Sequence, residues 1–173
     1  MRIAILVPPR DFKDETLSRL KPMLEKWGVK PVISSYSTHE LVGYHGAVYR
    51  TELNAAHLAP EDFDALVIAD GPGVDEYKLY DFRNLLDTVK LFSMRGKLIA
   101  AVGNGIKVIA RANIIAKVKI SRPADEETRR LVALYHGIES KEQVQFDSNI
   151  LTLGNTEGTL AFADALLYRL GAK

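Results

Sequence analysis

After Lys97 the chain runs Leu-Ile-Ala-Ala-Val102 without a polar spacer, into Gly103-Asn-Gly105, and on into an apolar pattern at Ile106, Val108, Ile109 and Ala110. A short continuous apolar run bounded by turn residues reads as a strand buried on both faces, and such strands belong to parallel sheets covered by helices. A buried strand turning sharply into a helix is also the geometry that lifts a nucleophile to the top of such a sheet. At this elbow the chain carries glycine, and none of its 173 residues is cysteine. Disulfides, thiolate catalysis and cysteine metal sites are therefore excluded together.

Strands and helices alternate along the whole length, which predicts an α/β fold: a three-layer α/β/α sandwich around a mostly parallel sheet. Strands are expected at Arg2–Val7, Val29–Ser34, Ala65–Ile68, Lys97–Val102 and Ala116–Ile120, with two short strands and a turn within Glu40–Glu52. A first helix over Asp14–Trp27 has Leu17, Leu20, Leu24 and Trp27 at three- and four-residue steps, with Asp14 as its N-cap, Gly28 as its stop and Pro22 as a kink. Asp70-Gly-Pro-Gly73 reads as a tight loop after a strand, followed by a long helix carrying Phe82, Leu85, Leu86, Val89 and Phe92. A helix near Asp125–Tyr135, a hairpin of Gln143–Phe146 with Ile150–Leu153, and a closing helix over Thr159–Leu170 complete the series. In that last helix Leu160, Ala163, Leu167 and Leu170 are expected to face inward. No linker or repeat divides residues 1–173, so a single domain is expected.

In open sheets of this kind ligands bind beyond the carboxyl ends of the strands. Four segments are placed there: Pro8–Thr16, Asp70–Asp75, Gly103–Gly105 and Gly154–Gly158. The net charge of +1, from 23 basic and 22 acidic side chains, gives no electrostatic case for nucleic acid or an anionic membrane. The apolar N-terminal run is too short for a signal peptide and ends at Pro8-Pro9, so the default expectation is cytoplasmic. Two glutamines beside abundant charge match a thermophile-like composition.

The runs Gly43-Tyr-His-Gly-Ala-Val48, Pro60-Glu-Asp-Phe-Asp-Ala-Leu-Val-Ile68 and Ala100-Ala-Val-Gly-Asn-Gly105 resemble the ThiJ/PfpI superfamily, as do Asn149-Ile-Leu-Thr152 and the helix after Gly158. The resemblance spans nearly the whole chain and implies the flavodoxin-like, class I glutamine amidotransferase-like sandwich. It places the family's nucleophilic cysteine on Gly103 and the following histidine on Asn104, and it keeps the next glycine as Gly105. The family's Gly-Gly, whose amides help form an oxyanion hole, becomes Asp70-Gly71. The acidic residue of its first helix falls on Thr16 in a gapless match, or on Glu15 with a one-residue slip. A further acid, which PfpI-like proteases supply across a subunit contact, corresponds to Asp75. Members act as cysteine-dependent proteases, chaperones, glyoxalases or deglycases and assemble as dimers or larger oligomers.

Two arrangements of the rebuilt site are open. Glycine at position 103 keeps the turn without backbone strain, and Asp70 could accept the elbow amides and occupy the vacated oxyanion hole, as a carboxylate suits a helix N-terminus. Alternatively, Asp70 and Glu15 form an acid–base couple beside Asn104. Gly71, Gly105, Thr16 and Asn155 are candidate ligand contacts, although the loop carrying Asn155 could simply cap the last helix. Asp75 and Tyr77, with Tyr80 and Phe82 nearby, are candidate interface residues. Asp11, Asp14, Glu15, Asp70 and Asp75 lack the spacing of a dedicated cation loop, and His39, His45, His57 and His136 lie in turns or at helix ends, so no metal or cofactor is expected. The expectation is a non-catalytic, homo-oligomeric binding or regulatory protein, a pseudoenzyme. The alternative is a cysteine-free hydrolase, lyase or hydratase acting on a small molecule or peptide through Asp70, Glu15 and Asn104.

Overall fold

The computed structural model describes Met1–Lys173. Strand β1 (Arg2–Leu6) is buried after its first residue and leads through β2 (Arg10–Phe12) into α1 (Asp14–Lys26). Helix α1 lays Leu17, Leu20 and Leu24 in one buried stripe, the spacing an amphipathic helix uses to pack on a sheet. It runs on through Pro22 and ends before Gly28. The order continues β3 (Lys30–Ser35), β4 (Leu41–Gly43), β5 (Val48–Tyr49), β6 (Leu53–Asn54) and β7 (Ala65–Ile68). Then follow α2 (Pro72–Glu76), α3 (Arg83–Met94), β8 (Leu98–Val102), α4 (Ile106–Arg111), β9 (Lys119–Ser121), α5 (Glu126–Leu134), β10 (Ile138–Ser140), β11 (Val144–Asp147), β12 (Ile150–Leu153) and α6 (Thr159–Leu170).

Seven strands form the central sheet in the order β11-β12-β8-β7-β1-β3-β6, parallel throughout except for the β11–β12 hairpin. Successive residues of a strand point to opposite faces, and the two cores divide accordingly. Ile3, Ile5 and Val67 pack with Leu17, Leu20, Leu24, Phe162 and Leu166 on the face covered by α1 and α6. Ala4, Leu6, Leu66 and Ile68 pack with Leu85, Val89, Phe92, Ile106 and Ile109 on the face covered by α3 and α4. Helix α1 leaves β1 to one face while α2, α3 and α4 leave β7 and β8 to the other, so the crevice of this sheet opens above β1, β7 and β8. No helix is long and apolar enough to cross a membrane.

Several local expectations need correcting. Asp14 does not cap α1; Lys13 stands at the N-cap, and the Asp14 carboxylate accepts from the His45 and Ala47 amides, fastening the β4–β5 turn. A helix begins within the anticipated Asp70–Gly73 loop, because Pro72 supplies the fixed φ that suits a first helical turn. The strand expected at Ala116–Ile120 lies at Lys119–Ser121 and pairs with β10 outside the central sheet. Leu160 is exposed; Phe162, Ala163, Leu166 and Leu167 form the buried stripe of α6.

Candidate functional site

The elbow is present as expected. Strand β8 ends at Val102, Gly103 takes φ of 53°, and a tight turn over Gly103–Gly105 feeds α4. A side chain held in this left-handed region costs about 1–2 kcal/mol, which glycine avoids. A side chain at position 103 would also crowd Asp70. A Cβ placed there would lie 3.0 Å from both Cβ and Oδ2 of Asp70. Gly105, expected to contact ligand, is buried: a Cβ on it would lie 2.8 Å from the Ala69 carbonyl oxygen and 3.0 Å from that of Ile68. It is glycine so that the turn can approach β7.

Asp70 is 3% exposed. Its Oδ1 accepts from the Thr16 hydroxyl at 2.7 Å, and its Oδ2 accepts from the Thr156 hydroxyl at 2.9 Å. Thr156 in turn accepts from Lys13 Nζ at 2.8 Å. Burial pushes the Asp70 carboxyl above its ordinary range, and the two hydroxyl donors and the Lys13 charge offset part of that shift. Asp70 therefore does not hold the elbow amides: two threonines compete successfully for its oxygens. Nor does it pair with Glu15, whose Oε1 lies 3.9 Å from His45 Nε2 and which does not line the cleft. The proposed acid–base couple is thus not assembled. Of the two candidates for the acidic position of the first helix, Thr16 is the one that faces the elbow, buried against Asp70 rather than open to a ligand.

Asn104 is committed to Gly71. Its Oδ1 accepts from the Gly71 N–H at 3.0 Å, and its Nδ2 donates to the Gly71 carbonyl at 2.7 Å and to Asp75 Oδ2 at 3.1 Å. Asp75 accepts from Lys107 Nζ at 2.7 Å within its own chain, and its side chain stays part-exposed. Tyr77 is 44% exposed on the outside of this segment.

The four anticipated segments converge on one open cleft of about 590 Å³, lined by Lys13, Asp70, Gly71, Pro72, Asp75, Gly103, Asn104, Ala124, Asp125, Glu126, Glu127, Gly154, Asn155 and Thr156. Nine of these fourteen residues carry polar or charged side chains. Asn155 reaches the cleft, yet its Oδ1 is used to accept from the Glu157 amide as a cap. The α5 rim, with Asp125, Glu126 and Glu127, went unrecognised in the sequence, as did Lys13 and Lys107. A cap signal at Asp125 was legible, and Asp125 does accept from the Thr128 amide. Nothing local marks Lys107, which sits in an apolar run. No group of three or more His, Asp or Glu side chains converges as a metal site would require.

Known proteins bear out the fold. The DJ-1/PfpI family profile matches residues 1–169. An uncharacterised protein of Methanocaldococcus jannaschii is 30% identical over 155 residues, covering 87% of this chain and 73% of that protein. A deglycase of Pyrococcus horikoshii is 25% identical over 111 residues, 64% of this chain and 66% of the other. The crystal structure of a ThiJ/PfpI domain protein from Brachyspira murdochii superimposes with a TM-score of 0.93 at 24% identity, covering 99% of this chain and 97% of that one.

Proposed function

The chain belongs to the DJ-1/PfpI family, and from that premise we propose that it is a homo-oligomeric binding protein whose cleft has given up covalent chemistry. The observation that carries this reading is the Asn104 carboxamide closed on both the backbone N–H and the backbone C=O of Gly71. Preorganised backbone donors aimed at developing charge are the largest single source of rate in acyl-transfer sites. Here the Gly71 N–H, which the family resemblance assigns to that task, already has an acceptor within its own chain. The nucleophile position is glycine, with the Asp70 carboxylate against it. What is left in the cleft is polar side chains suited to hold a small polar molecule.

The relatives named deglycases make deglycation and methylglyoxal turnover the activities to assay. The purified chain is expected to show no turnover above buffer, and neither is G103C alone, because the introduced side chain is crowded by Asp70 and the Gly71 N–H stays closed by Asn104. Turnover by the unaltered chain that is abolished in D70N would overturn the proposal. The oligomeric reading is tested separately by light scattering on the eluting protein, with Tyr77→Glu predicted to shift the mass toward one chain. A monomer mass for the unaltered chain would remove the oligomer from the proposal.

A further inference from the structure

Lys107 is only 2% exposed, in a helix whose other core-facing residues are Ile106, Val108, Ile109 and Ala110. An unpaired ammonium in that position would be strongly destabilising, and an apolar residue of similar volume would often pack there as well or better. The reason for a lysine must lie in what its charge holds. Lys107 Nζ lies 2.7 Å from Asp75 Oδ1 and 2.9 Å from Glu127 Oε2, above the Tyr80 ring at 5.2 Å from its centroid. Burial alone pulls the ammonium pKa down, but the two carboxylates outweigh it and hold the group above the ordinary lysine value, so it is charged. The remaining oxygen of Asp75 accepts from Asn104 Nδ2, and Asn104 closes on Gly71.

The contacts form one chain from Glu127 on α5, through Lys107 on α4 and Asp75 on α2, to Asn104 at the elbow. Complementarity fixes which end of the carboxamide meets which backbone group, since an N–H is satisfied only by Oδ1 and a carbonyl only by Nδ2. The Asp75 carboxylate reinforces that orientation: by accepting from Nδ2 as well, it tethers the side chain whose Oδ1 holds the Gly71 N–H. Asp75 itself is part-exposed and would be free to swing into the cleft without the ammonium behind it.

We propose that Lys107 is a positioning residue. Acting through Asp75, it latches Asn104 onto Gly71 and keeps the backbone N–H and C=O of that residue engaged, so that the cleft rests occupied by its own side chain. The latch depends on the Asn104–Gly71 contact and stands whether or not the cleft binds a ligand.

Amide hydrogen exchange of the full chain, resolved residue by residue by NMR, tests this. N104A removes the acceptor outright and sets the exchange rate of a free Gly71 N–H. D75A leaves Lys107 paired with Glu127 but cuts the link to Asn104. In D75A the Gly71 amide is expected to exchange at least about tenfold faster than in the unaltered protein, toward the N104A rate, the effect of losing the charged group behind a hydrogen bond. The amides of Ile5 and Ala100, inside the sheet, are expected to keep their rates. K107M, or K107Q should K107M not fold, is expected to act on Gly71 in the same direction, and an unchanged Gly71 rate in the folded variant would remove Lys107 from the latch. Gly71 exchange unchanged in D75A while accelerated in N104A would overturn the latch. Catalytic turnover, which would sink the binding reading, is measured in a different assay and leaves this result untouched.

Discussion

Asp70 sets the character of the cleft at the scale of a single residue. Its carboxyl pKa is raised by burial, so between the unfolded and folded values the folded chain holds a proton that the unfolded chain has released. Stability from this group is fully present below the unfolded value and is lost as pH rises through the window up to the folded value. D70N removes the ionisation while preserving the shape. We expect thermal melts across a pH series to show D70N gaining on the unaltered protein from about pH 4 upward, starting at the ordinary aspartate value, and reaching a plateau once Asp70 has ionised. A constant difference between the two proteins at every pH would show that Asp70 titrates as it does in the unfolded chain. The partners responsible are remote: Thr16 is 54 residues from Asp70 and Thr156 is 86. Nothing in the local pattern could have predicted that two hydroxyls, rather than the elbow amides, would hold this carboxylate.

At the scale of the element, α6 shows where periodicity informs and where it misleads. Its bounds, Thr159 and Leu170, follow from the sequence, because glycines flank a long apolar pattern. Its inward face does not, because the helix is apolar nearly all round and several stripes fit. The structure buries Phe162, Leu166 and Leu167 and leaves Leu160 56% exposed. F162A is therefore expected to lower the unfolding free energy by about 3–5 kcal/mol, and L160A to change it by less than about 0.5 kcal/mol, measured by urea titration. Equal losses would mean that the helix is rotated from the position described. The same ambiguity hid Lys107. An apolar run around it reads as core, and its carboxylate partners lie 32 and 20 residues away on other helices. Strand β9 was misplaced for a related reason: three residues carry too little pattern to fix a register, and β9 is positioned by pairing with β10 and by the Thr152 hydroxyl.

The whole molecule is two apolar layers sharing one sheet. The strands that build it, β1, β7, β8 and β12, are the ones whose apolar runs left no alternative, and their carboxyl ends brought the four anticipated segments together. Since each strand contributes alternate residues to both layers, neither core can melt and leave the other intact. Trp27, the sole tryptophan, lies at the end of α1 on one face, whereas far-ultraviolet circular dichroism reports the whole backbone. We expect urea transitions followed by Trp27 fluorescence and by circular dichroism to coincide in the unaltered protein, in F162A and in F92A, whose ring fills the opposite layer. Separated transitions in F92A would show that the layers unfold independently.

The contact between Asp70 and the elbow also orders the routes by which this protein could change over generations. A cysteine arising at position 103 crowds the Asp70 side chain and takes on the backbone strain that glycine avoids. Replacing Asp70 first empties the space, but it strands Thr16 and Thr156 without their acceptor and brings no new activity. Each first step is a loss, and only their combination is a gain. A lineage carrying this pair is held away from thiol chemistry by the sequence in which mutations must arrive, and the farther its cleft drifts toward another use, the less there is to return to.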